Sequence, residues 1–393
     1  MTLNLDKSKW KHVRLGEVVR HVTDRVDAES SGLERFLAGE HIPSGNLSIT
    51  DWGVIGRDPI GPMFYKRFKP GHVLYVSRRT YLRKVAVPDF VGITGEKTFV
   101  LEAINPDMLL QEFLPFVLSA EVFHSYAIRN SRGSVNPYLN WGELARYEFE
   151  LPSLDEQKRI ADLLWRVESH RAQLCASGDM MRAVRLNFVD RTIGRALKNQ
   201  AVPLAQVAEI RGGIQKGKRT SGEVVDRPYV RVANVQAGEV DLADVKTISV
   251  SVADAERYAL EDGDVLMTEG GDIDKLGRGA VWRSQIPQCL HQNHVFAVRV
   301  GQSSVSPYWI SLHTESTHGR SYFRVAAKRT SNLASINKTQ VSEFPIGILE
   351  GDDELDALST ISRLDSAMIN LDTESVALTA LRTVVLIDIF GDS

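Results

Sequence analysis

The chain has 393 residues, of which 43% are hydrophobic and 25% charged, and its formal net charge is −3 at pH 7. This composition supplies two or three hydrophobic cores and excludes a uniformly basic nucleic-acid-binding coat, although local basic surfaces remain possible. Two cysteines, no apolar run of membrane-spanning length and no signal-peptide pattern at the start predict a cytoplasmic protein without disulfides or a membrane partner.

Residues 1–150 are predicted to form a globular domain of short strands and turns. Strand-like apolar runs occur at 73–76 and 99–101, and a helical pattern covers 109–127. Between positions 56 and 84, eight basic residues accompany one acid, with three tyrosines among them. Such a segment within an acidic chain favours a polyanion-binding surface over a merely solvated face.

A long helix is predicted over 151–198. Ser153 and Glu156 have the spacing of a capping box, which marks a helix start. Apolar residues then return every seven positions, which is typical of a helix that lies along a partner helix. These positions are Ile160, Val167, Leu174, Met181 and Phe188.

The second half of the chain repeats the plan of the first. The stretch 68–74 (FKPGHVL) is echoed by 260–266 (LEDGDVL), a helical pattern covers 307–326, and a second basic run covers 318–338. Residues 199–349 therefore form a second globular domain, followed by a second long helix over 350–393. Its seven-residue stripe is Leu364, Leu371, Leu378 and Val385. We predict an α+β fold with an internal pseudo-twofold repeat, in which two globular domains are separated by two long helices packed as an antiparallel coiled coil.

Two segments imitate nucleotide or metal sites. Residues 212–219 (GGIQKGKR) resemble a phosphate-binding loop, but Arg219 stands where Ser or Thr must hold magnesium. Cys289, His291 and His294 are metal-ligand types, but no fourth ligand is apparent, and strand alternation turns His294 away from the other two. We therefore predict no metal site and no catalytic residues, and leave the role of these three side chains open.

The segment 151–161 (LPSLDEQKRIA) resembles the signature of the specificity (S) subunits of Type I restriction-modification systems, where it opens a long helix after a target recognition domain. Further local resemblances occur in both halves, at 78–84 (RRTYLRK), 268–279 (TEGGDIDKLGRG), 289–295 (CLHQNHV) and 332–337 (NLASIN). The second long helix departs from the pattern, because its start at 352–356 (DDELD) lacks the QKRI block. A role of that block is therefore expected only once.

The resemblance implies a non-catalytic DNA sequence-specificity subunit of a bacterial defence system. Residues 1–150 and 199–349 would be target recognition domains, each recognising one half-site of a bipartite duplex, and the helices would set the gap between the half-sites. It also implies as partners double-stranded DNA, two adenine-methylating subunits with S-adenosylmethionine, and restriction subunits with ATP and magnesium. No cofactor is expected in this chain.

Side chains that can recognise bases or phosphates are the candidate DNA contacts, because Arg and Lys pair with guanine, and Asn and Gln with adenine, in the major groove. In the first domain we select Arg78, Arg79, Tyr81, Arg83, Lys84 and Asn136. In the second domain we select Lys216, Asp272, Lys275, Arg278, Gln292, Asn293, Arg329 and Asn332. Surface ion pairs, turns and caps are the alternative roles for each. A non-catalytic protein-binding adaptor and a stand-alone DNA-modifying enzyme are the alternative functions.

Overall fold

The computed structural model describes residues 5–215, 217, 222–301, 305–329, 334–350 and 352–391. The chain forms two compact units. The first is built from two separate stretches, and the second from the centre of the chain. Unit 1 contains residues 1–178 and 370–393, and unit 2 contains residues 179–369. The domain boundaries at 150, 198 and 349 stay a prediction.

Within its described residues, the first half of the chain forms ten strands and the first long helix. The strands are β1 (Lys11–Arg14), β2 (Val19–His21), β3 (Arg35–Leu37), β4 (Gly53–Val54), β5 (Phe64–Phe68), β6 (Val73–Val76), β7 (Val85–Ala86), β8 (Gly92–Gly95), β9 (Thr98–Ala103) and β10 (Glu148–Leu151). The helices are α1 (Leu15–Val18), α2 (Leu114–Val117), α3 (Glu121–Arg129), α4 (Trp141–Leu144) and α5 (Leu154–Asn199), with 3-10 helices at Lys7–Lys9 and Thr80–Leu82.

The second half has the same kinds of element in a similar order. Its strands are β11 (Ala201–Pro203), β12 (Ala208–Arg211), β13 (Val224–Val230), β14 (Lys246–Ser251), β15 (Val265–Thr268), β16 (Gly270–Gly271), β17 (Gly279–Val281), β18 (Leu290–His291), β19 (Val295–Val300), β20 (Lys328–Arg329), β21 (Ala334–Ser335) and β22 (Pro345–Gly347). Its helices are α6 (Val252–Arg257), α7 (Pro307–Glu315), α8 (Thr317–Ala326), α9 (Lys338–Ser342) and α10 (Asp353–Phe390), with 3-10 helices at Leu204–Gln206, Val232–Asn234 and Ile273–Lys275.

Sheet topology confirms the internal repeat. A four-stranded sheet has the order β2-β9-β6-β7 in unit 1 and β12-β19-β15-β17 in unit 2. A second sheet contains a parallel pair in each unit, β3 with β8 and β13 with β18. The last strand of each half pairs antiparallel with the first, β10 with β1 and β22 with β11. The two halves therefore share one α+β plan.

Strand β6 lies between two apolar layers, so all four of its residues are buried. Alternation along the strand sends Val73 and Tyr75 into the core that includes the helices, and Leu74 into a second core towards β3 and β5. Strand β15 divides its side chains in the same way: Val265 and Met267 face the helices, and Leu266 faces the other layer. A strand covered on both faces is a rigid support for the loop that follows it.

Each long helix contributes to a domain core. In unit 1, Leu164 of α5 and Ile389 of α10 belong to the same buried cluster. In unit 2, Ile193 of α5 and Ile361 of α10 share a cluster with Trp309. Of the nine seven-residue-stripe positions, Ile160, Val167 and Val385 are buried and the remaining six are partly buried.

The helices run antiparallel in both units, as predicted. In unit 1, Glu168 pairs with Arg382, and His170 Nε2 lies 3.0 Å from Glu374 Oε1. In unit 2, an ion pair joins Arg185 to Asp365, and Arg195 Nη2 lies 3.3 Å from Asp353 Oδ2. Among the described residues, no helix is both apolar enough and long enough to span a membrane.

The helical patterns at 109–127 and 307–326 each correspond to two helices rather than one. The chain is extended at Ala120 and at Ser316, where ψ is 145° and 161°. Ser316 begins the new helix by accepting a hydrogen bond from Gly319 N at 3.1 Å through its side-chain oxygen. The apolar periodicity continues across the break, so it does not reveal this corner.

Because α5 contributes to the unit 1 core, truncating its buried face should destabilise that unit. We expect Leu164→Ala, at a fully buried position, to lower the free energy of unfolding by about 2–5 kcal/mol. The adjacent Leu163 is 37% exposed, so Leu163→Ala is the matched control for helix propensity and should cost under about 1 kcal/mol. Urea denaturation followed by tryptophan fluorescence measures both. Equal losses in the two variants would contradict this packing of α5.

Candidate nucleic-acid interface

The connection between β6 and β7 forms an unusual exposed loop. Its 3-10 helix lies between Arg79 and Arg83, and both arginines have left-handed backbone conformations, with φ of 55° and 54°. Such conformations are uncommon for non-glycine residues and persist where surrounding contacts determine the chain path. Arg79 N donates to Pro137 O at 2.6 Å, so the segment 132–138 is one of those contacts.

The structure brings together three of the six predicted residues of the first domain. Arg79 Nε donates to Asn136 Oδ1 at 2.8 Å. Arg78 and Arg132 each form an isolated β-bridge with Tyr138, which fixes both arginines beside this segment. Arg78, Arg79 and Arg132 are exposed. We call Arg78, Arg79, Arg132 and Asn136 the first-domain cation–amide surface.

A cleft of about 250 Å³ near the start of β9 adds cations that the sequence patterns do not predict. Its lining includes Lys97 and Arg25, which lie over aromatic rings: Lys97 Nζ is 5.1 Å from the ring centroid of Tyr138, and Arg25 Cζ is 4.7 Å from that of Tyr65. Ser77 N donates to Lys97 O at 2.8 Å, which ties the cleft to the β6–β7 loop. These residues are distant in sequence, so composition within any one segment could not identify them.

Lys66 and His21 form the buried side of this cleft. Lys66 is 6% exposed, and its Nζ donates to the backbone oxygens of Glu96 at 2.6 Å and Thr98 at 2.9 Å. Burial lowers the pKa of Lys66 to about 8. Burial, and then the charge of Lys66, lower the pKa of His21 to about 4. Lys66 is thus a cation held within the fold, with a structural function in the loop.

The remaining three predicted residues of the first domain have different surroundings. Both terminal nitrogens of Arg83 donate to Glu121 at 2.6 Å, so its guanidinium fork is occupied within the protein. Lys84 Nζ donates to Gly39 O, and partial burial lowers the pKa of Lys84. Tyr81 is 50% exposed. DNA contact by these three residues stays a prediction.

The equivalent connection in the second domain carries different side chains. After β15 it forms β16 and the 3-10 helix Ile273–Lys275. Lys275 Nζ donates to the carboxylate of Asp272, and this hydrogen bond is the main reason that the pKa of Asp272 is lowered. Arg278 Nη1 donates to Gln236 Oε1 at 3.1 Å.

Gln292 and Asn293 lie between β18 and β19 and are half-buried. Their backbone is fixed by hydrogen bonds from Gln292 N to Val230 O and from Asn293 N to Ile214 O, both 2.9 Å. A side chain at Gly213 would place its Cβ 2.3 Å from the carbonyl oxygen of Gln292, so only glycine allows this approach. The segment that contains Gly213 therefore packs against Gln292 and Asn293, two of the predicted DNA contacts. Its next residue, Ile214, forms an isolated β-bridge with Gln292.

The three remaining predictions of the second domain cannot be placed. Lys216 and Asn332 lie outside the described residues, as does the side chain of Arg329. The backbone of Arg329 pairs with Ala334 in the β20–β21 hairpin. That hairpin corresponds to the segment 132–138, since Leu139 N donates to Ser77 O and Ile336 N donates to Glu269 O, both at 2.8 Å.

The three potential metal ligands have separate environments. Cys289 and His291 are buried, whereas His294 is exposed and its Nδ1 lies 2.7 Å from Glu269 Oε2. Burial raises the pKa of the Cys289 thiol to about 12. Within the described part of the chain, no group of three His, Cys, Asp or Glu side chains is arranged to hold a metal ion.

Comparisons with known proteins confirm the resemblance noted in the sequence. Residues 7–174 match the Type I restriction modification DNA specificity domain. The chain is 25% identical over 274 residues to the Type I restriction enzyme EcoKI specificity subunit of Escherichia coli K12, an alignment that covers 62% of this chain and 57% of that protein. It is 27% identical over 173 residues to the EcoDI specificity subunit of Escherichia coli, covering 42% of this chain and 33% of that protein. The alignments thus leave 43% and 67% of these relatives' lengths unmatched.

Solved structures agree on the fold. A Type I restriction-modification S subunit from M. genitalium is similar over 100% of both chains, with a TM-score of 0.61 and 14% identity. A chain from a study of complex assembly and conformational transition of the type I R-M system is similar over 98% of both chains, with a TM-score of 0.56 and 17% identity. These similarities confirm the predicted fold class.

The buried histidine beneath the Gln292–Asn293 loop predicts acid sensitivity. His291 is 2% exposed, and burial lowers its pKa to about 4, against about 6.5 when unfolded. Between these values the unfolded state takes up a proton that the folded state does not, so stability is lost as the pH falls through this window. His291→Asn, whose amide can replace the Nδ1 donor to Val295 O, should remove about 2 kcal/mol of the wild-type loss between pH 7 and pH 5. Denaturation at both pH values measures it, and an unchanged pH dependence would contradict the assignment.

Proposed function

We propose, on the premise that this chain belongs with the specificity subunits of Type I restriction-modification systems, that it is the non-catalytic subunit that recognises a bipartite sequence in duplex DNA. The observation that carries this proposal is the duplicated loop-and-hairpin arrangement, with different side chains in its two copies. One copy presents Arg78, Arg79 and Asn136, and the other presents Asp272 and Lys275. Two copies of one backbone arrangement that carry different polar side chains suit two domains that recognise different half-sites.

The chemistry of the first copy suits recognition in the major groove. A guanidinium can donate two hydrogen bonds to guanine, and an asparagine amide can pair with adenine. Arg79 and Asn136 are hydrogen-bonded to each other, which restrains both side chains before binding. Lys97 is suited to a phosphate contact, because such contacts need charge and position rather than a base-specific pattern. Arg132 donates from Nη2 to Glu143 Oε1 at 2.6 Å, so it would contact a phosphate through its other nitrogens.

The chemistry of the second copy predicts a different half-site. Its exposed acid, Asp272, can accept a hydrogen bond from a cytosine amino group, whereas Lys275 can donate to guanine. The ion pair between these side chains must open or reorganise for either contact. Gln292 and Asn293 add amide groups on the neighbouring loop. We therefore infer that the two domains read unrelated short sequences.

The long helices suit a spacer function. At 46 residues, α5 is on the order of 70 Å long, which is a length that a compact domain does not need for its own core. We propose that α5 and α10 set the unread gap between the half-sites. Their seven-residue stripes, described above, are the positions that we expect to hold the spacer together.

Catalysis is assigned to partner subunits. We propose that two adenine-methylating subunits, using S-adenosylmethionine, and restriction subunits, using ATP and magnesium, assemble with this chain in the cytoplasm. The chain itself would then recognise the DNA sequence and provide the surface on which the other subunits assemble. A protein-binding adaptor is the second candidate, and the steep loss of DNA affinity with rising salt separates the two functions, because a DNA reader releases counterions on binding.

The decisive experiment maps methylated adenines in cells that express this chain with methylation subunits of a compatible Type I system. We expect a split motif with a constant gap. Arg78→Ala should alter or relax one half of the motif, and Lys275→Ala should alter or relax the other half. Each variant should weaken discrimination by about 1–3 kcal/mol for every base that its side chain recognises. A contiguous motif, or one variant changing both halves, would contradict the division of labour.

The control variant is Arg20→Ala. Arg20 is exposed like Arg78 but pairs with Glu102 near the opposite end of β9 from Thr98. It should leave both halves of the motif and the salt dependence of DNA binding unchanged. A loss of specificity in Arg20→Ala equal to that in Arg78→Ala would show that general charge, rather than the cation–amide surface, determines binding.

A further inference from the structure

Each unit contains a buried arginine that pairs with a carboxylate between α5 and α10. In unit 1, Glu168 of α5 pairs with Arg382 of α10. In unit 2, Asp365 of α10 pairs with Arg185 of α5. The side chains of both arginines are about nine-tenths buried, being 10% and 11% exposed.

The two pairs occupy equivalent positions in the repeat. Gln157 Oε1 accepts from Leu110 N at 2.9 Å in unit 1, and Glu354 Oε1 accepts from Ser306 N at 2.8 Å in unit 2, so these hydrogen bonds align the copies. Counting forward from Gln157 and from Glu354, Glu168 and Asp365 fall at the same step.

The same alignment shows where the pairs differ. Counting forward from the two backbone donors, Leu110 and Ser306, Glu315 of unit 2 corresponds to Ser119 of unit 1. Glu315 Oε1 accepts from Arg185 Nη1 at 2.6 Å, so Arg185 has two carboxylate partners. The hydroxyl of Ser119 carries no charge and donates to Pro115 O at 2.7 Å.

In unit 2, one arginine thus has two carboxylate partners, whereas in unit 1 two arginines share one carboxylate. Glu168 is shared by two arginines, Arg382 and Arg171, and Arg171 Nη1 lies 3.0 Å from Glu168 Oε2. Two buried guanidinium groups on one carboxylate leave a positive charge that costs free energy unless a further anion compensates it. Burial lowers the pKa of Arg382, with the charge of Arg171 acting in the same direction.

A cavity of about 400 Å³ lies beside this charge. Ser119, Arg382 and His124 line it, together with Arg83 and Tyr81 of the β6–β7 loop. The acid in its wall, Glu121, is neutralised by Arg83, which donates to both carboxylate oxygens. His124 is 6% exposed, and its Nδ1 has no hydrogen-bond partner among the described residues.

We propose that this cavity is a binding site for a small oxyanion, of the phosphate or carboxylate class, held by Arg382 and His124. The ligand oxygens would take the role towards Arg382 that the Glu315 carboxylate has towards Arg185. Burial, then Arg83 and Arg382, lower the pKa of His124 to about 3, so its ring is neutral at pH 7 and offers one N–H donor. This inference does not depend on DNA recognition.

Thermal unfolding of the full chain at pH 7 tests the site, with sodium phosphate, sodium acetate and sodium chloride compared at one ionic strength. We expect a saturable rise in Tm of about 3–6 °C at ten times the Kd of the bound oxyanion, and no saturable rise with chloride. The phosphate and acetate arms distinguish the two ligand classes. Equal responses to all three salts would overturn the proposal.

Ser119→Glu supplies the missing carboxylate from within the protein. This variant should have a higher Tm than the unsubstituted chain in chloride and should lose the response to the oxyanion, whereas Ser119→Gln, of the same size but uncharged, should show no rise in chloride. An undiminished oxyanion response in Ser119→Glu would overturn the site.

A second variant covers the case in which Ser119→Glu does not fold. His124→Leu removes the N–H donor of the site, and Glu315→Ser is the control, because Asp365 still neutralises Arg185 in unit 2. Isothermal titration with the oxyanion that raised Tm should give one bound anion in the unsubstituted chain and in Glu315→Ser, and weaker binding in His124→Leu. A stoichiometry of zero in the unsubstituted chain, or undiminished affinity in His124→Leu, would contradict the proposal.

Discussion

The ion pair that a buried arginine makes between α5 and α10 is the interaction on which each unit depends. An arginine that is removed from water must meet a carboxylate, since separating the two leaves an uncompensated buried charge that costs about 3–5 kcal/mol. Glu168 with Arg382, and Asp365 with Arg185, therefore select one register for the helices. That register determines which apolar side chains reach each core, including Leu164 in unit 1 and Ile361 in unit 2. The apolar stripes alone would allow shifts by a whole heptad.

The sheets connect the helical cores to the exposed loops and hold those loops in place. Tyr75 of β6 packs against Phe123 of α3, with ring centroids 5.4 Å apart, and α3 belongs to the same core as α5. The loop after β6 then carries Arg78 and Arg79 at the surface. In the second domain β15 has the equivalent position and supports Asp272 and Lys275. Polar side chains on a rigid support lose less conformational entropy when they bind, which favours specific recognition.

Much of the fold could be predicted because it depends on periodic patterns. The seven-residue stripes indicate both long helices, and the echo of 68–74 in 260–266 indicates the repeat. The corners at Ala120 and Ser316 are not predictable in this way, because apolar spacing continues through a break that is set by backbone conformation. Residue type alone selects Arg79 and Asn136 as candidate DNA contacts. That they lie together depends on a contact between segments distant in sequence, which no local pattern predicts. Lys97 and Arg132 could not be predicted as members of this surface for the same reason. Arg83 is selected by residue type, but its ion pair with Glu121, which is also remote in sequence, could not be predicted.

The discontinuity of unit 1 has a consequence for biosynthesis. Its core combines residues before position 178 with Val385, Leu386 and Ile389, and all of unit 2 lies between them in the chain. A ribosome delivers the chain from its N-terminus, so the first domain must wait, with an apolar face uncovered, while the second is made. Closure of the first domain is thus among the last events of maturation, and a polypeptide released early would expose that face to chaperones and proteases.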